Sequence, residues 1–218
     1  MFLCTGSIKG VEIRRVQYNN GNLTLGSPNI LTQYSRNFKF SPDFKYVAFF
    51  TKTGIHSQEF SDKFIQICSY NPEEGTINEI RKIDVPNIVS VKFSPKSKYF
   101  AIILRKNTIT MEKNIPLIQI YETTGPLVRA FNYSAAIPPS LIWSDDETIF
   151  AYSYSNGIKF FRTKEDGTVK EKDIELPNIL ACDFTSANGN IRFAVVYNDG
   201  SGNAKKMKLY QYPNLDNH

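Results

Sequence analysis

The chain has 218 residues, of which 41% are hydrophobic and 22% charged, which is the composition of a folded globular protein and excludes a disordered chain. No apolar run approaches the roughly 20 residues of a membrane-spanning helix, and no basic segment followed by an apolar stretch opens the chain, so we expect no membrane partner and no signal peptide. The net charge of +5 and the sequence pI near 9.0 permit an acidic partner such as RNA without requiring one.

The first stretch of the chain predicts three short strands. They alternate weakly between apolar and polar residues and cover Phe2–Cys4, Val11–Val16 and Asn22–Leu25. Gly10 and the Asn19-Asn20-Gly21 turn separate them.

A short sequence motif then recurs. In this motif an aromatic residue and a serine end one strand, and a polar turn precedes the next strand. The copies are Phe40-Ser41-Pro42-Asp43, Phe93-Ser94-Pro95-Lys96, the degenerate Trp143-Ser144-Asp145-Asp146 and the weaker Cys182-Asp183-Phe184-Thr185-Ser186. Their aromatic residues are 53, 50 and 41 residues apart. These intervals match the roughly 40–50 residues of one four-stranded propeller blade.

Each repeat divides into four strands. An inner strand ends at the aromatic residue: Asn37–Phe40, Val89–Phe93, Leu141–Trp143 and Leu180–Phe184. A nearly continuous apolar strand, typical of burial on both faces, comes second: Tyr46–Phe50, Tyr99–Leu104, Thr148–Tyr152 and Arg192–Tyr197. An alternating strand comes third: Phe64–Ser69, Leu117–Tyr121, Gly157–Phe161 and Lys206–Tyr210. A more polar strand, suited to an outer edge, comes fourth: Ile77–Ile83, Leu127–Phe131 and Val169–Leu176.

The turn after each inner strand has the chemistry of a type I turn. Pro42 and Pro95 fix φ near the value of its second position, and Asp43, Asp145 and Asp146 can bond their own backbone. The loops between the second and third strands vary most, and on a stiff scaffold such loops are where binding residues concentrate.

The pattern predicts an all-β, WD40-like β-propeller fold, as an incomplete arc of about four to five blades. We divide the chain into a partial blade at 1–33, blades at 34–86, 87–138 and 139–177, and a partial blade at 178–218. The end sheets of such an arc expose apolar faces. A closed five-bladed ring is the alternative, and it requires strands near Phe2 to pair with Lys206–Tyr212.

Catalysis, metal binding and cofactor binding receive little support from the residues. His56 lies in a polar loop and His218 ends the sequence, and neither has an evident nucleophile partner. The segment 145–147 fits an acidic turn better than paired catalytic carboxylates. The glycine-rich segment 200–206 lacks phosphate-loop spacing and fits a hairpin loop. We expect a protein that is not an enzyme and has no cofactor.

The cysteines Cys4, Cys68 and Cys182 are far apart, odd in number and without metal-ligand spacing. They predict buried thiols in a reducing compartment and hence a cytoplasmic location.

Basic residues supply the candidates for RNA contact. Because alternate strand residues share a face, Lys206 and Lys208 are expected on one side of their strand, where they could meet a phosphate backbone. The full candidate set is Lys205, Lys206, Lys208, Arg105, Lys106, Arg14 and Arg15. An exposed aromatic side chain among Tyr34, Tyr70 and Tyr154 could stack on a base. The alternative to RNA contact is that these basic residues form an ordinary solvated surface.

Longer strings resemble the N-terminal part of the eukaryotic translation initiation factor 2A family. They are Gly6-Ser7, Gly10, Lys92-Phe93-Ser94-Pro95-Lys96, Ile118-Gln119-Ile120-Tyr121, Ile142-Trp143-Ser144-Asp145-Asp146-Glu147-Thr148 and Leu209-Tyr210-Gln211-Tyr212-Pro213-Asn214. The last two are fairly specific, whereas the Phe-Ser-Pro strings occur in many propellers. The resemblance covers essentially the whole chain, which corresponds to about the first half of that family's nine-bladed propeller.

The resemblance implies partners that composition does not. They are the small ribosomal subunit, mRNA, initiator methionyl-tRNA and other initiation factors, in the cytoplasm. It favours a non-enzymatic scaffold in translation initiation. The alternatives are a WD40-like scaffold that binds proteins and not RNA, and a hydrolase or lyase built on a propeller.

Overall fold

The chain folds as small antiparallel sheets. A computed structural model describes residues 2–7, 10–19, 21–27, 29–31, 37–50, 64–105, 117–132, 141–154, 157–163, 172–187, 190–200 and 205–212. Within these ranges every regular element is a strand, and there are nineteen of them. The chain divides into two compact units, Met1–Val91 and Lys92–His218. The prediction of an all-β fold is therefore confirmed.

The first unit contains two four-stranded sheets. The first sheet comprises β1 (Phe2–Ser7), β2 (Gly10–Asn19), β3 (Asn22–Leu25) and β4 (Asn29–Leu31), in which β2 pairs with the other three strands. The second has the order β5 (Asn37–Phe40), β6 (Tyr46–Phe50), β7 (Phe64–Asn71) and β8 (Thr76–Asp84). Val11 and Ile13 of β2 pack against Val47, Phe49 and Tyr70 of the second sheet.

The remaining strands form three sheets. The third sheet comprises β9 (Ile88–Phe93), β10 (Tyr99–Leu104), β11 (Ile118–Glu122) and β12 (Leu127–Phe131), and β9 crosses the boundary between the units. The fourth comprises β13 (Leu141–Trp143), β14 (Ile149–Tyr154), β15 (Gly157–Arg162) and β16 (Lys172–Glu175). The fifth comprises β17 (Ile179–Ala187), β18 (Asn190–Tyr197) and β19 (Lys206–Tyr212).

The fourth sheet is buried on both faces. One face packs the aromatic side chains Trp143, Phe150, Tyr152 and Phe161 against Ile118 and Ile120 of the third sheet. Its other face places Ile158, Phe160 and Ile174 against aromatic side chains of the fifth sheet, which are Phe184, Phe193, Tyr197 and Tyr210. A face that carries Ile118 and Ile120, or Ile158 and Phe160, thus meets an aromatic face of the next sheet.

Most predicted strands begin and end within a few residues of the observed strands, because the repeat fixes where each strand starts and stops. All six residues of β10 are buried, as a strand covered on both faces requires. The sequence missed β4, whose three residues are too few to show alternation. The predicted strand Val169–Leu176 is observed as Lys172–Glu175, and residues 169–171 lie outside the described ranges. The blade boundaries and the arc stay predictions.

In the first three copies of the repeat, the serine organises the turn that follows it. In the first copy the Phe44 N–H donates to the Ser41 carbonyl at 3.0 Å, closing a turn with Pro42 at its second position, as predicted. The Tyr46 N–H donates to the Ser41 hydroxyl at 2.9 Å, and that hydroxyl donates to Asp43 Oδ1 at 2.6 Å. Phe44 takes a left-handed φ of 58°.

The third copy repeats this geometry. The Ile149 N–H donates to the Ser144 hydroxyl at 3.0 Å, and the hydroxyl donates to Asp146 Oδ1 at 2.6 Å. Burial alone would raise the pKa of Asp146, but hydrogen bonds from Ser144 and Thr148 and the nearby Lys96 outweigh it, so the pKa is lowered. The acidic segment 145–147 is therefore a turn, as predicted.

The second copy lacks this aspartate, because Lys96 stands where Asp43 and Asp146 stand in the others. Glu147, from the third copy, supplies the carboxyl group. Its Oε1 accepts from the Ser94 hydroxyl and, at 2.7 Å, from the Lys96 N–H. Glu147 is 4% exposed and has a φ of 64°. One buried side chain thus joins the third sheet to the fourth.

Candidate functional site

The predicted lysine cluster lies at the start of β19. Lys205 is exposed, and the Lys206 Nζ donates to Asp199 Oδ2, a hydrogen bond that raises the pKa of Lys206. Lys208 Nζ lies 5.8 Å from the centroid of the Tyr197 ring. Lys206 faces Tyr197 across the ladder and Lys208 faces Val195, so the two lysines share one face of β19, as the alternation predicts.

The predicted arginines lie on other sheets. Arg14 of β2 forms an ion pair with Glu12, whereas Arg15 is exposed. Arg105 follows the last residue of β10 and is half-buried. Lys106 lies outside the described residues. The candidates therefore occupy three sheets, and their role in RNA contact stays a prediction.

The most exposed aromatic side chain described is one that the sequence did not single out. Tyr18 is 73% exposed and pairs across the β2–β3 ladder with the exposed Leu23. Of the named tyrosines, Tyr70 is buried and Tyr154 is half-buried, while Tyr34 lies outside the described residues. Tyr18 is the last residue but one of β2, which also carries Arg14 and Arg15, so the signal available in the sequence was an aromatic residue on the same strand as a basic pair.

A lysine and a thiol lie close together on inner strands of the second unit. Lys92 Nζ donates to the Leu141 carbonyl. Lys92 is exposed as a residue, but burial around its ammonium group lowers its pKa, while the charge of Asp183 opposes the shift. Burial, assisted by the Asp183 charge, raises the pKa of the Cys182 thiol to about 11. Because the raised pKa keeps the Cys182 thiol protonated, Lys92 and Cys182 are suited to packing and not to nucleophilic chemistry.

We expect Cys182 to resist alkylation. Because the thiolate is the reactive species, a pKa of about 11 predicts reaction with iodoacetamide at pH 8 roughly 100-fold slower than for an ordinary cysteine. Intact mass against time would measure it, and denaturation in guanidinium, where the thiol is released, serves as the control. Alkylation at the same rate in the folded and denatured protein would contradict the assigned burial.

The remaining residues that the sequence suggested for catalysis or ligand binding are only partly within the described ranges. His56 and His218 lie outside the described residues. The glycine-rich segment 200–206 lies in sequence between β18 and β19, which pair antiparallel, and its residues 201–204 lie outside the described residues. In the described part of the chain, no three His, Cys, Asp or Glu side chains converge to hold a metal. Over those same residues, no helix combines the length and apolar character needed to cross a membrane.

Comparison with known proteins finds a sequence relative and several structures of similar fold. No family model matches the chain. Eukaryotic translation initiation factor 2A of Dictyostelium discoideum is 23% identical over 161 residues, which cover 70% of this chain and 25% of that protein. A crystal structure of the eukaryotic initiation factor matches 98% of this chain and 49% of its own length, with a TM-score of 0.64 and 18% identity.

The C-terminal WD40 domain of Sif2 matches 96% of this chain and 54% of its own, with a TM-score of 0.54 and 15% identity. At these identities the structural matches establish the fold, which is a WD40-like β-propeller fold. The chain spans about a quarter of the matched relative and about half of the matched initiation factor structure. The resemblance to the eukaryotic translation initiation factor 2A family, drawn first from the sequence motifs, is therefore confirmed over the aligned part of the chain.

Proposed function

We propose that the chain is a non-enzymatic scaffold of translation initiation that binds the small ribosomal subunit and supports the recruitment of initiator methionyl-tRNA and mRNA in the cytoplasm. The observation that carries this proposal is the similarity to initiation factor 2A over 161 residues. The fold is consistent with it, since propeller sheets form a stiff platform that displays loops and edges to partners. Other initiation factors are further partners under the same proposal.

Sedimentation of crosslinked lysate tests the ribosomal part of the proposal. The tagged chain should migrate with the small subunit through a sucrose gradient. Release by nuclease would indicate attachment through RNA. Absence from small-subunit fractions after crosslinking, with the protein intact at the top of the gradient, would reject the proposal.

RNA contact makes a sharper prediction, because β2 offers a matched pair of arginines. Arg15 is exposed whereas Arg14 is paired with Glu12, so we expect Arg15→Gln to weaken binding of a short single-stranded RNA more than Arg14→Gln does. If Arg15 contacts one phosphate, its loss lowers the slope of log affinity against log salt by about 0.7. Filter binding from low to high salt measures both quantities.

Lys205 provides a second, independent variant, since it is exposed and precedes β19. Lys205→Gln should reduce the salt slope by a similar amount if the lysine cluster contacts phosphate. Affinity that is independent of salt in the unaltered protein would exclude a phosphate interface.

A protein-binding scaffold without RNA is the second candidate, and specific contacts favour it. Lys206 and Arg14 are already engaged by Asp199 and Glu12. Met207 and Leu209 are exposed on the same strand as the lysines. Exposed apolar side chains at a sheet surface are more typical of protein interfaces than of phosphate contacts. Salt-independent protein binding by the chain would support this candidate.

A further inference from the structure

The turns that follow the inner strands of the second and fourth sheets bind a carboxylate with the same two donors. In the first copy, Asp43 Oδ1 accepts from the Ser41 hydroxyl at 2.6 Å and from the Lys45 N–H at 3.1 Å. The third copy repeats both bonds, at 2.6 and 3.0 Å, with Asp146 as the acceptor. The donors are the serine hydroxyl and the N–H four residues later. Converging donors of this kind at a turn are a recurrent way of binding an anion.

The second copy, in the third sheet, keeps both donors but receives its carboxylate from the fourth sheet. Glu147 Oε1 accepts from the Ser94 hydroxyl and, at 3.4 Å, from the Lys98 N–H, which occupy the same two positions of the turn. The Lys96 N–H adds a third bond at 2.7 Å. Because the donors belong to one sheet and the acceptor to another, the donors form a site that is distinct from the side chain that fills it.

The turn holds these donors through bonds that do not involve Glu147. The Ser97 N–H donates to the Ser94 carbonyl at 3.0 Å, and the Tyr99 N–H donates to the Ser94 hydroxyl at 2.9 Å. The Thr123 hydroxyl, just after β11, donates to the Ser97 carbonyl at 2.6 Å. Ser94, Ser97 and Thr123 are all buried. The donors are therefore in place for an anion whether or not Glu147 is present, which lowers the ordering cost of binding.

The charges around this turn are mixed. Lys96 and Lys98 are exposed residues of the turn itself, whereas Asp145 and Asp146 are exposed on the adjoining turn of the fourth sheet. The charge of Lys96 acts on Asp146, whose pKa it helps to lower. Long-range attraction therefore contributes little, and the hydroxyl and N–H donors determine what binds. They suit a compact, planar carboxylate.

We propose that the turn of residues 94–98 is a carboxylate-binding site in its own right, and that Glu147 fills it as a tethered ligand. A small free carboxylate binds the same donors when the Glu147 side chain is absent or has moved out of the junction. In the unaltered protein the tether gives Glu147 a high effective concentration, which keeps free carboxylates out. The proposal is independent of a role in translation, because it rests on the repeated geometry of the turn.

Glu147→Gly empties the site with little disturbance of the backbone. Glu147 has a φ of 64°, a conformation that glycine adopts without strain. Its N–H donates to the Ser144 carbonyl at 2.9 Å, and its carbonyl accepts from the Thr163 hydroxyl at 2.6 Å, so the backbone stays anchored on the fourth sheet. Acetate is the probe, because it carries the lost carboxylate and is smaller than the side chain removed. Sodium chloride at equal ionic strength is the reference.

Hydrogen exchange of the Lys96 and Lys98 amides measures occupancy of the site. Both amides should exchange faster in Glu147→Gly than in the unaltered protein, because they lose their acceptor. Bound ligand slows exchange by a factor of one plus the ratio of its concentration to its dissociation constant. For a dissociation constant of about 0.1 M, about 0.5 M acetate should slow both amides about six-fold relative to chloride. The amides of β6, in the second sheet, should not respond.

A matched variant shows whether the effect belongs to this site. Glu147→Gly combined with Lys96→Asp gives the turn its own carboxylate, as in the first and third copies, so acetate should have no effect on it. Acetamide has the shape of acetate without its charge, and it should protect the amides of Glu147→Gly less than acetate does. The unaltered protein should not respond to acetate, because Glu147 occupies the site.

Several outcomes would overturn the proposal. Equal slowing by acetate and chloride, or an equal response of Glu147→Gly with and without Lys96→Asp, would exclude a carboxylate site. A response to acetate shared by the amides of β6 would indicate general stabilisation and not binding here. If Glu147→Gly is unfolded in chloride, recovery of its circular dichroism in acetate supports the site, and failure to recover rejects it. None of these measurements involves the ribosome, so they leave the sedimentation test of the proposed function intact.

Discussion

Replacing Glu147 with alanine is expected to destabilise the second unit by about 3 kcal/mol. The substitution removes two hydrogen bonds to the Glu147 carboxyl group, from the Ser94 hydroxyl and the Lys96 N–H, and hydrogen bonds to charged groups contribute about 1.5–3 kcal/mol each. The Ser94 hydroxyl can still donate to the Tyr99 carbonyl at 3.1 Å. Urea unfolding followed by circular dichroism measures the change. The closely related Asp43→Ala and Asp146→Ala break bonds within exposed turns and should cost about 1 kcal/mol each.

A rescue variant tests the reason for this loss. Lys96→Asp places a carboxylate where the first and third copies of the turn have Asp43 and Asp146. In the Glu147→Ala background it should recover about 1 kcal/mol by accepting the Ser94 hydroxyl. In the unaltered protein the same substitution should destabilise, because two carboxylates then compete for one donor. If Lys96→Asp has the same effect in both backgrounds, Glu147 does not replace a missing aspartate.

Phe150→Ala is expected to cost about 4 kcal/mol, the range found when a fully buried phenylalanine is truncated. Phe150 is fully buried, and its ring centroid lies 5.3 Å from that of Phe161 and 5.5 Å from that of Trp143. The cavity would open between the third and fourth sheets, where both faces are rigidly paired strands that cannot easily close it. The same urea titration gives the free energy of unfolding.

Two controls accompany the Phe150 measurement. Leu127→Ala removes an exposed leucine from β12 and should change stability by less than about 0.5 kcal/mol. Phe150→Leu keeps most of the apolar volume and should cost clearly less than alanine. Equal effects of Phe150→Ala and Leu127→Ala would show that this aromatic face is not a core.

The repeat made most strands predictable because it combines two signals. Alternation of apolar and polar residues marks the third strands. The motif of an aromatic residue, a serine and a polar turn marks where an inner strand ends and a buried strand begins. The turn around Ser41 follows from Pro42 and Asp43 alone, since all of its bonds are local. Such features can be derived without knowledge of what packs nearby.

Contacts between side chains of different repeats could not be predicted from the sequence. Glu147 lies 53 residues from Ser94, and nothing local indicates that its side chain completes a turn in another sheet. The ion pair of Lys206 with Asp199 also depends on side-chain direction, whereas Glu12 and Arg14 lie two residues apart on one strand, where alternation places them on the same face. Met207 and Leu209 are exposed on β19, although the strand pattern does not distinguish them from buried strand residues. The sequence predicted that an end sheet exposes apolar side chains, but it did not indicate which side chains these are.

Trp143 is the one tryptophan in the sequence, and its ring stacks on Tyr99 with a centroid separation of 5.9 Å in the core between the third and fourth sheets. Its emission therefore reports the solvent access of that junction, which lies within the second unit. A melt followed by tryptophan fluorescence therefore reports the opening of that one junction, and far-ultraviolet circular dichroism is the independent probe that includes the strands of both units.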